Sequence, residues 1–333
     1  MTREFSAQVV VITGASSGIG RATALEFADR GARLVVAARR ERPLKKLAQE
    51  CERRGAMAIS VDCDVSDRKQ IEELTRIAEE QFGHIDVWVN NAAVTSYGRF
   101  DEAPLEAHER VLQVNLFGYL YGSYAAIRRF RRQGWGTLIN VGSMLSRMSQ
   151  PYVAPYVMSK HAVRGLGMSL QQELYVTGER NVHVCTVMPA SIDTPLFQHA
   201  ANYSGRKVKA MKPVYSAQKV ASTIVGLVEN PEYEVFVGNA ARAMDGFNKL
   251  SPAKAMERLA VMTDRQHLDP KKHVPITDGN LFEPMKRGTE VSGGWKRGGL
   301  GSAVASLATL AAVAAPILFL RRGNRIQQER RAA

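Results

Sequence analysis

Short apolar runs rich in valine and isoleucine return along the chain, at Val9 to Ile12, Arg33 to Ala37, Ala56 to Val61, Ile85 to Val89, Thr137 to Val141, Val182 to Val187 and Glu234 to Val237. Their length and β-branched content read as strands buried on both faces. Between them the apolar residues fall at helical spacing, as with Ala22, Leu25, Phe27 and Ala28 after the first run. The alternation predicts an α/β fold: a doubly wound parallel sheet of about seven strands, helices on both faces, and a ligand crevice at the carboxyl ends of the strands.

The pattern divides the chain into residues 1–240, which carry the strand and helix alternation, 241–295, and 296–333. The middle stretch is richer in Pro, Gly and charge, with Ser251-Pro252 and Asp269-Pro270-Lys271-Lys272, and predicts a short helical extension followed by a loop-rich linker. Covering the substrate crevice, mediating oligomerisation and merely connecting to the tail are all open to it. With 333 residues and 45% apolar content there is ample material for a large α/β core.

Two local features carry chemistry. The segment Thr13 to Gly20, TGASSGIG, lies between a strand and a helix. Gly14 permits the tight turn, Gly18 allows a pyrophosphate to approach the backbone, and Gly20 allows the helix to pack close to the strand, with free N–H groups at the helix start. Ser16, Ser17 and Ile19 belong to the same turn. Further on, Tyr156 and Lys160 stand four residues apart in YVMSK, on one face of a helix. A phenol beside an ammonium is a proton-transfer pair, and a charged Lys160 is expected to make the Tyr156 phenolate easier to form.

Together with Asn90-Asn91-Ala92-Ala93, Asn115 in the segment 114–118, and Ser143 thirteen residues before Tyr156, these motifs make the chain resemble the short-chain dehydrogenase/reductase family. The resemblance runs from about residue 6 to 240, roughly seven tenths of the chain. Two positions depart from the family pattern, Ala93 and Ala190 standing where glycine is usual; each adds only a methyl group. The resemblance implies a Rossmann-type fold and a hydride-transferring oxidoreductase acting on a carbonyl or secondary alcohol. Tyr156 would be the proton donor and acceptor. Lys160 would sustain its acidity and hold the nicotinamide ribose, Ser143 would hold the carbonyl oxygen, and Asn115 would help hold a water leading to Lys160. It also implies adenine contacts at Asp64 and Val65, crevice contacts at Asn91, Ala92 and Pro189, and nicotinamide carboxamide contacts at Ile192 and Thr194.

The end of the second strand bears on the cofactor. An NAD site needs a carboxylate there for the ribose hydroxyls; this chain has Ala38 followed by Arg39 and Arg40, and a guanidinium suits a 2′-phosphate, so NADP is expected. Tyr97, Met144, Leu145, Met148, Tyr152, Leu196 and Phe197 lie in segments expected to line the substrate pocket and suggest an apolar ligand. The alternative from another class is a non-catalytic dinucleotide-binding membrane scaffold or sensor, and a third reading is a sugar epimerase or dehydratase. Retention of the Asn, Ser, Tyr and Lys set argues against the former, and the glycine turn favours simple hydride transfer over the latter.

The net charge of +13 is uneven: residues 296–333 hold seven basic residues and one acidic residue, close to half of the excess. The rest is spread over surface helices, as at Arg128, Arg129, Arg131 and Arg132, with no interleaved aromatics, which argues against nucleic acid as a partner. Cys51, Cys63 and Cys185 have no CxxC spacing, so free thiols are expected. No metal site is expected; His267 and His273 flank Asp269 on what reads as a solvated loop. Leu300 to Leu320 is an uncharged stretch of 21 residues bracketed by Lys296-Arg297 and Arg321-Arg322. As a helix it would cover about 32 Å against a bilayer core of ~30 Å. Its alanines, Ser302, Ser306, Thr309, Gly301 and Pro316 weaken it, so a membrane anchor is expected with a docked or oligomerising helix as the alternative. The first strand begins within about ten residues of Met1 with no signal segment before it, which places the catalytic part on the cytosolic side, membrane-associated or, alternatively, soluble in the cytoplasm. A homo-oligomer is left open.

Overall fold

In strand β1, Val9–Thr13, alternate side chains feed opposite faces of the sheet: Val10 and Ile12 join one apolar cluster, Val9 and Val11 another. The same division runs through β2 (Arg33–Ala38), where Leu34 and Val36 face one way and Val35 and Ala37 the other. Burial on both faces is why these strands read as unbroken apolar runs. The computed structural model describes residues 4–296. The expected tail helix, Leu300 to Leu320, lies outside the described residues.

The sheet has seven parallel strands, completed by β3 (Met57–Asp62), β4 (Val87–Asn90), β5 (Gly136–Val141), β6 (Val182–Pro189) and β7 (Glu234–Val237), in the order β7-β6-β5-β4-β1-β2-β3. Boundaries differ from the sequence reading by at most two residues; Ile85, for instance, is buried but precedes β4. Helices α1 (Gly18–Ala28), α2 (Glu41–Arg53) and α8 (Ala217–Glu229) cover one face. Helices α3 (Arg68–Phe82), α4 (Leu105–Leu112) and α5 (Gly118–Gln133) cover the other, with Leu174 of α6 (Ala154–Val176). This is the Rossmann-like doubly wound arrangement. The chain leaves β1 toward β2 and returns to place β4 on its other flank, which opens a crevice at the carboxyl ends of β1 and β4.

A third apolar cluster lies beyond the sheet and gathers Tyr97, Leu145, Met148 and Val153 with residues of the extension. The extension contributes α9 (Asn239–Leu250), α10 (Pro252–Met262), a π-helical turn Thr263–His267 and a strand Leu268–His273 that pairs antiparallel with Arg206–Val208; a four-residue helix, α7, spans Leu196–His199. Asp245 and Leu259 are among the buried residues, so α9 and α10 are packed elements. Residues 274–296 then run back along the crevice, bridging to Asn202 through Thr277 and burying Leu281 completely. Among the described residues no helix is long and apolar enough to cross a membrane.

Candidate active site

The glycine turn is built by exclusion. Gly14 has φ +65°, and a Cβ on it would stand 2.6 Å from the Ala92 Cα; a Cβ on Gly20 would stand 2.5 Å from both the Asn91 Nδ2 and the Gly14 carbonyl oxygen. No other residue fits either place. Asn91 explains the closeness: its amide donates to the carbonyls of Thr13 (2.9 Å) and Gly14 (3.2 Å), while its own N–H donates to the Thr13 hydroxyl at 3.0 Å. The end of β4 is thereby tied to the turn after β1, leaving a cradle that a side chain would fill. Pocket and cradle form one crevice of about 260 Å³.

Of the residues singled out from the sequence, Ser16, Ser17, Ile19, Arg39, Arg40, Asp64, Val65, Ala92, Ser143, Tyr156, Lys160, Pro189, Ile192 and Thr194 line that crevice with Gly14, Gly18 and Asn91. Gly20 and Asn115 stand behind its wall. Asn115 sits in a π-helical turn, Gln113–Phe117, between α4 and α5, a local widening of the kind that recurs at functional sites. Fully buried, it accepts from the Val94 N–H (2.8 Å) and donates to the Val94 carbonyl (2.9 Å) and the Ser159 hydroxyl (3.3 Å). Ser159 in turn donates to the Tyr156 carbonyl at 2.7 Å. Asn115 therefore fastens the loop after β4 to the helix that carries the phenol.

Ser143 ends the loop after β5. It caps the single 3-10 turn Met144–Ser146, accepting from the Leu145 N–H at 3.1 Å, and its hydroxyl eases ionisation of the Tyr156 phenol. Lys160 donates to the Val141 carbonyl at 2.8 Å and to the Tyr119 hydroxyl at 3.3 Å, its nitrogen 5.6 Å from the centre of the Tyr156 ring. The electrostatics differ from the sequence expectation. Burial raises the Tyr156 phenol to about 12, with the Ser143 hydroxyl pulling the other way, and burial lowers Lys160 to about 7. Both shifts oppose charge. In the cofactor-free protein Lys160 is therefore only partly an ammonium at neutral pH, and Tyr156 is a neutral donor.

At the substrate end, Tyr97, Met144, Leu145, Leu196 and Phe197 line the crevice as expected, joined by Val153 and Met211. Met148 and Tyr152 do not line it. Met148 is buried in the third cluster, and the Tyr152 hydroxyl turns away to donate to Asp264 at 3.0 Å. His267 also departs from its expected solvated loop: it is 4% exposed, lines the crevice, and stands 2.7 Å from the Tyr97 hydroxyl. His273 is exposed, and Asp269 pairs with Lys209 at 3.0 Å. Among the described residues no group of three or more His, Cys, Asp or Glu is arranged to hold a metal ion.

The returning segment occupies positions that the sequence reading left open to solvent or ligand. Arg39 donates to the carbonyls of Asn280 (2.6 Å), Leu281 (3.1 Å) and Phe282 (3.1 Å). Arg40 donates to the carbonyls of Met285, Arg287 and Gly288, each at 3.2 Å, and to the Ser16 hydroxyl at 3.0 Å. Even the Gly18 N–H at the start of α1 is bonded, to the Glu290 carbonyl at 3.0 Å. The segment finishes on Asp193, whose carboxylate accepts from Ser292 (2.6 Å), Gly293 N–H (3.1 Å) and Trp295 N–H (2.7 Å). Asp64, expected at the adenine, is paired with Arg110 at 2.5 Å; burial works to raise its carboxyl, but Arg110 and Ser66 outweigh it and hold it below the ordinary range. Two buried polar atoms on the crevice, the Asn280 Oδ1 and the Ser191 Oγ, have no hydrogen-bond partner.

Residues 8–204 match the model of the family described as short chain dehydrogenase. The chain belongs to the short-chain dehydrogenase family. It is 34% identical over 299 residues to the uncharacterized oxidoreductase YxnA of Bacillus subtilis (strain 168), spanning 87% of this chain and 82% of that protein. An uncharacterized oxidoreductase of Thermotoga maritima is 32% identical over 237 residues, 71% of this chain and 90% of that one. Among solved structures it is similar to an alcohol dehydrogenase from the archaeon Thermococcus sibiricus complexed with 5-hydroxy-NADP, with TM-score 0.61 and 29% identity over 69% of this chain and 95% of the other. A short-chain dehydrogenase/reductase from Burkholderia phymatum in complex with NAD gives TM-score 0.68 and 26% identity over 76% of this chain and 96% of the other. This short-chain dehydrogenase is thus an oxidoreductase whose solved neighbours hold a nicotinamide dinucleotide. Sequence reasoning missed Arg110, His199, His267, Asn280, Met285 and Trp295, which either line the crevice or brace it. Only His267 stood out in the sequence, and its pairing partner lies 170 residues away.

Proposed function

We propose that the protein is an NADP-dependent oxidoreductase that interconverts a carbonyl and a secondary alcohol on a largely apolar substrate, with Tyr156 as the acid and base. The observation that carries this reading is the half-buried Tyr156 phenol, backed by Lys160 5.6 Å from its ring centre and lining, with Ser143, a crevice whose far end is the glycine cradle. The cradle residues Gly14, Gly18 and Ile19 fit a pyrophosphate, and Arg39, Arg40 and Ser16 fit a 2′-phosphate. When bound, the nicotinamide supplies or accepts the hydride. The chain's own residues do the rest. Ser143 holds the substrate oxygen within reach of Tyr156, the neutral phenol passes its proton to that oxygen, and the phenolate left behind is stabilised by Lys160 as an ammonium. In the oxidising direction the phenolate removes the alcohol proton. Asn115 keeps the Val94 loop and α6 in register through Ser159.

Tyr156→Phe tests the reading. It removes the transferable proton and little volume, so turnover of an accepted ketone with NADPH should fall by about 10²- to 10⁴-fold with nucleotide affinity retained. Near-wild-type rates would remove Tyr156 from the mechanism. For the cofactor, a dianionic 2′-phosphate competes with neutral carbonyls for Arg39 and Arg40 because it adds ion–ion attraction and bidentate geometry to bonds in which a carbonyl leaves only one partner charged. Calorimetric titration should give tighter NADPH than NADH, and an Ala38→Asp, Arg39→Leu double variant should reverse the order. The charge-flanked apolar tail, Leu300 to Leu320, is proposed as a membrane anchor on its sequence alone. Full-length protein released by alkaline carbonate as readily as a chain ending at Gly299 would dismiss it.

A further inference from the structure

In the substrate half of the crevice, lined largely by Met144, Leu145, Leu196, Phe197 and Met211 with Gln150 at its margin, a buried polar pair interrupts the apolar wall. The Tyr97 hydroxyl lies 2.7 Å from the His267 Nε2, and the His267 Nδ1 is hydrogen-bonded to the Lys209 carbonyl. A carbonyl only accepts, so Nδ1 carries the ring hydrogen. Nε2 is then a lone pair, and the hydrogen of the Tyr97 hydroxyl must point at it. What remains on the Tyr97 oxygen, on the side of the crevice, is acceptor capacity alone.

The pair is held rigidly. The imidazole is packed edge-on against Tyr97 (ring centres 5.0 Å apart, 80°) and Phe197 (5.5 Å, 86°), and burial lowers it to about 4, so it stays neutral. Backbone bonds fix the phenol as well: Tyr203 N–H donates to the Tyr97 carbonyl at 2.7 Å, and Gly98 N–H to the Tyr152 carbonyl at 3.0 Å. Tyr97 is no second proton donor, since its hydrogen is committed to His267, and both burial and the neighbouring Tyr156 raise its phenol. A buried hydroxyl on the wall of a largely apolar chamber discriminates against ligands that leave its free acceptor capacity unpaired.

We propose that Tyr97, oriented by His267, is an acceptor subsite for a hydroxyl or other O–H or N–H donor carried by the substrate at a second position, so that the substrate class is hydroxy-ketones and the corresponding diols rather than plain ketones. This rests on the reading of Tyr156 as the carbonyl-facing residue. Its neighbour at the carbonyl, Ser143, belongs to the reaction; Tyr97 belongs to selection.

The test is calorimetric binding of cyclohexanone, its 2-, 3- and 4-hydroxy derivatives and 4-methoxycyclohexanone to the full-length protein with NADPH, run beside turnover of the same compounds. At least one hydroxy-ketone should bind about tenfold tighter than both cyclohexanone and the methoxy compound, which accepts but does not donate. Tyr97→Phe should bring that ratio to within about twofold. His267→Phe should free the Tyr97 hydrogen and move the preference toward the methoxy compound. No hydroxy-ketone binding tighter than the parent, or an undiminished preference in Tyr97→Phe, overturns the subsite. A hydroxyl preference in binding without turnover of any ketone supports the subsite and dismisses the Tyr156 reading instead.

Discussion

The two ends of the crevice are made in different ways. At the nucleotide end the walls are loops that follow β1, β2 and β4, and each contact is dictated by a residue with one steric solution, such as Gly14 against Ala92. At the other end, and along the outer rim, the walls are borrowed: His267 comes from the turn after α10, and Asn280, Pro284 and Met285 come from a segment with no sheet of its own. The first kind of wall is set by local geometry and tolerates almost no substitution. The second is held by many ordinary hydrogen bonds to backbone carbonyls, and a change in one of them is shared among the rest.

That contrast can be broken at its strongest point first. Gly14→Ala places a Cβ 2.6 Å from a backbone atom at φ +65°, and neither partner is a flexible side chain. We expect a loss of about 3 kcal/mol or more from strain and overpacking, read as a lower urea midpoint, together with loss of NADPH binding. A variant of unchanged midpoint would show that the turn is less constrained than its geometry requires. Leu281→Ala comes next. Leu281 is fully buried, so the cost should be about 2–3 kcal/mol, but confined to its own segment. Amide exchange should quicken at 280–290 with the sheet unaffected; equal loss of protection in β1 and β4 would mean that the two kinds of wall unfold as one.

A smaller effect links the two ends through charge. Lys160 is lowered to about 7 from 10.5 by burial. Between those values the unfolded chain binds the extra proton, so stability of the cofactor-free protein should rise with pH over about 7 to 10.5 relative to Lys160→Met. An anionic dinucleotide favours the ammonium, so binding at pH 8 should take up as much as about one proton per site, seen as a dependence of binding enthalpy on the buffer. Lys160→Met should abolish the uptake. Binding enthalpies independent of buffer in the wild type would contradict the depressed lysine.

Legibility follows the same division. The strands, the glycine turn and the Tyr156-Lys160 pair are readable because each is a short-range pattern whose period or spacing implies its geometry. Seven strands and their crevice follow from alternation alone. His267 reads as a solvated residue because the charged run Asp269, Lys271 and Lys272 follows it in sequence, whereas its burial depends on Tyr97 and Phe197. Arg39 lines the crevice, but its three carbonyl partners are more than 240 residues distant, and no side-chain pattern announces a backbone acceptor. The Tyr156 and Lys160 shifts are hidden for a related reason: spacing brings the pair together, but only packing decides how much water they lose.

The segment that closes on Arg39, Arg40 and Asp193 is also the last of the described chain to be synthesised. Every strand of the sheet is complete once Val237 has been added, whereas the contacts of Asn280 to Trp295 require some sixty further residues. At roughly 5–20 residues per second that interval is on the order of 3–12 s. During it the nascent domain has its glycine turn, its phenol and an open crevice, with Gly18 and the Arg39 guanidinium uncommitted and Arg40 held only by Ser16. In those seconds Arg39 and the Gly18 N–H face water, because the carbonyls of Asn280 to Glu290 that engage them have yet to arrive.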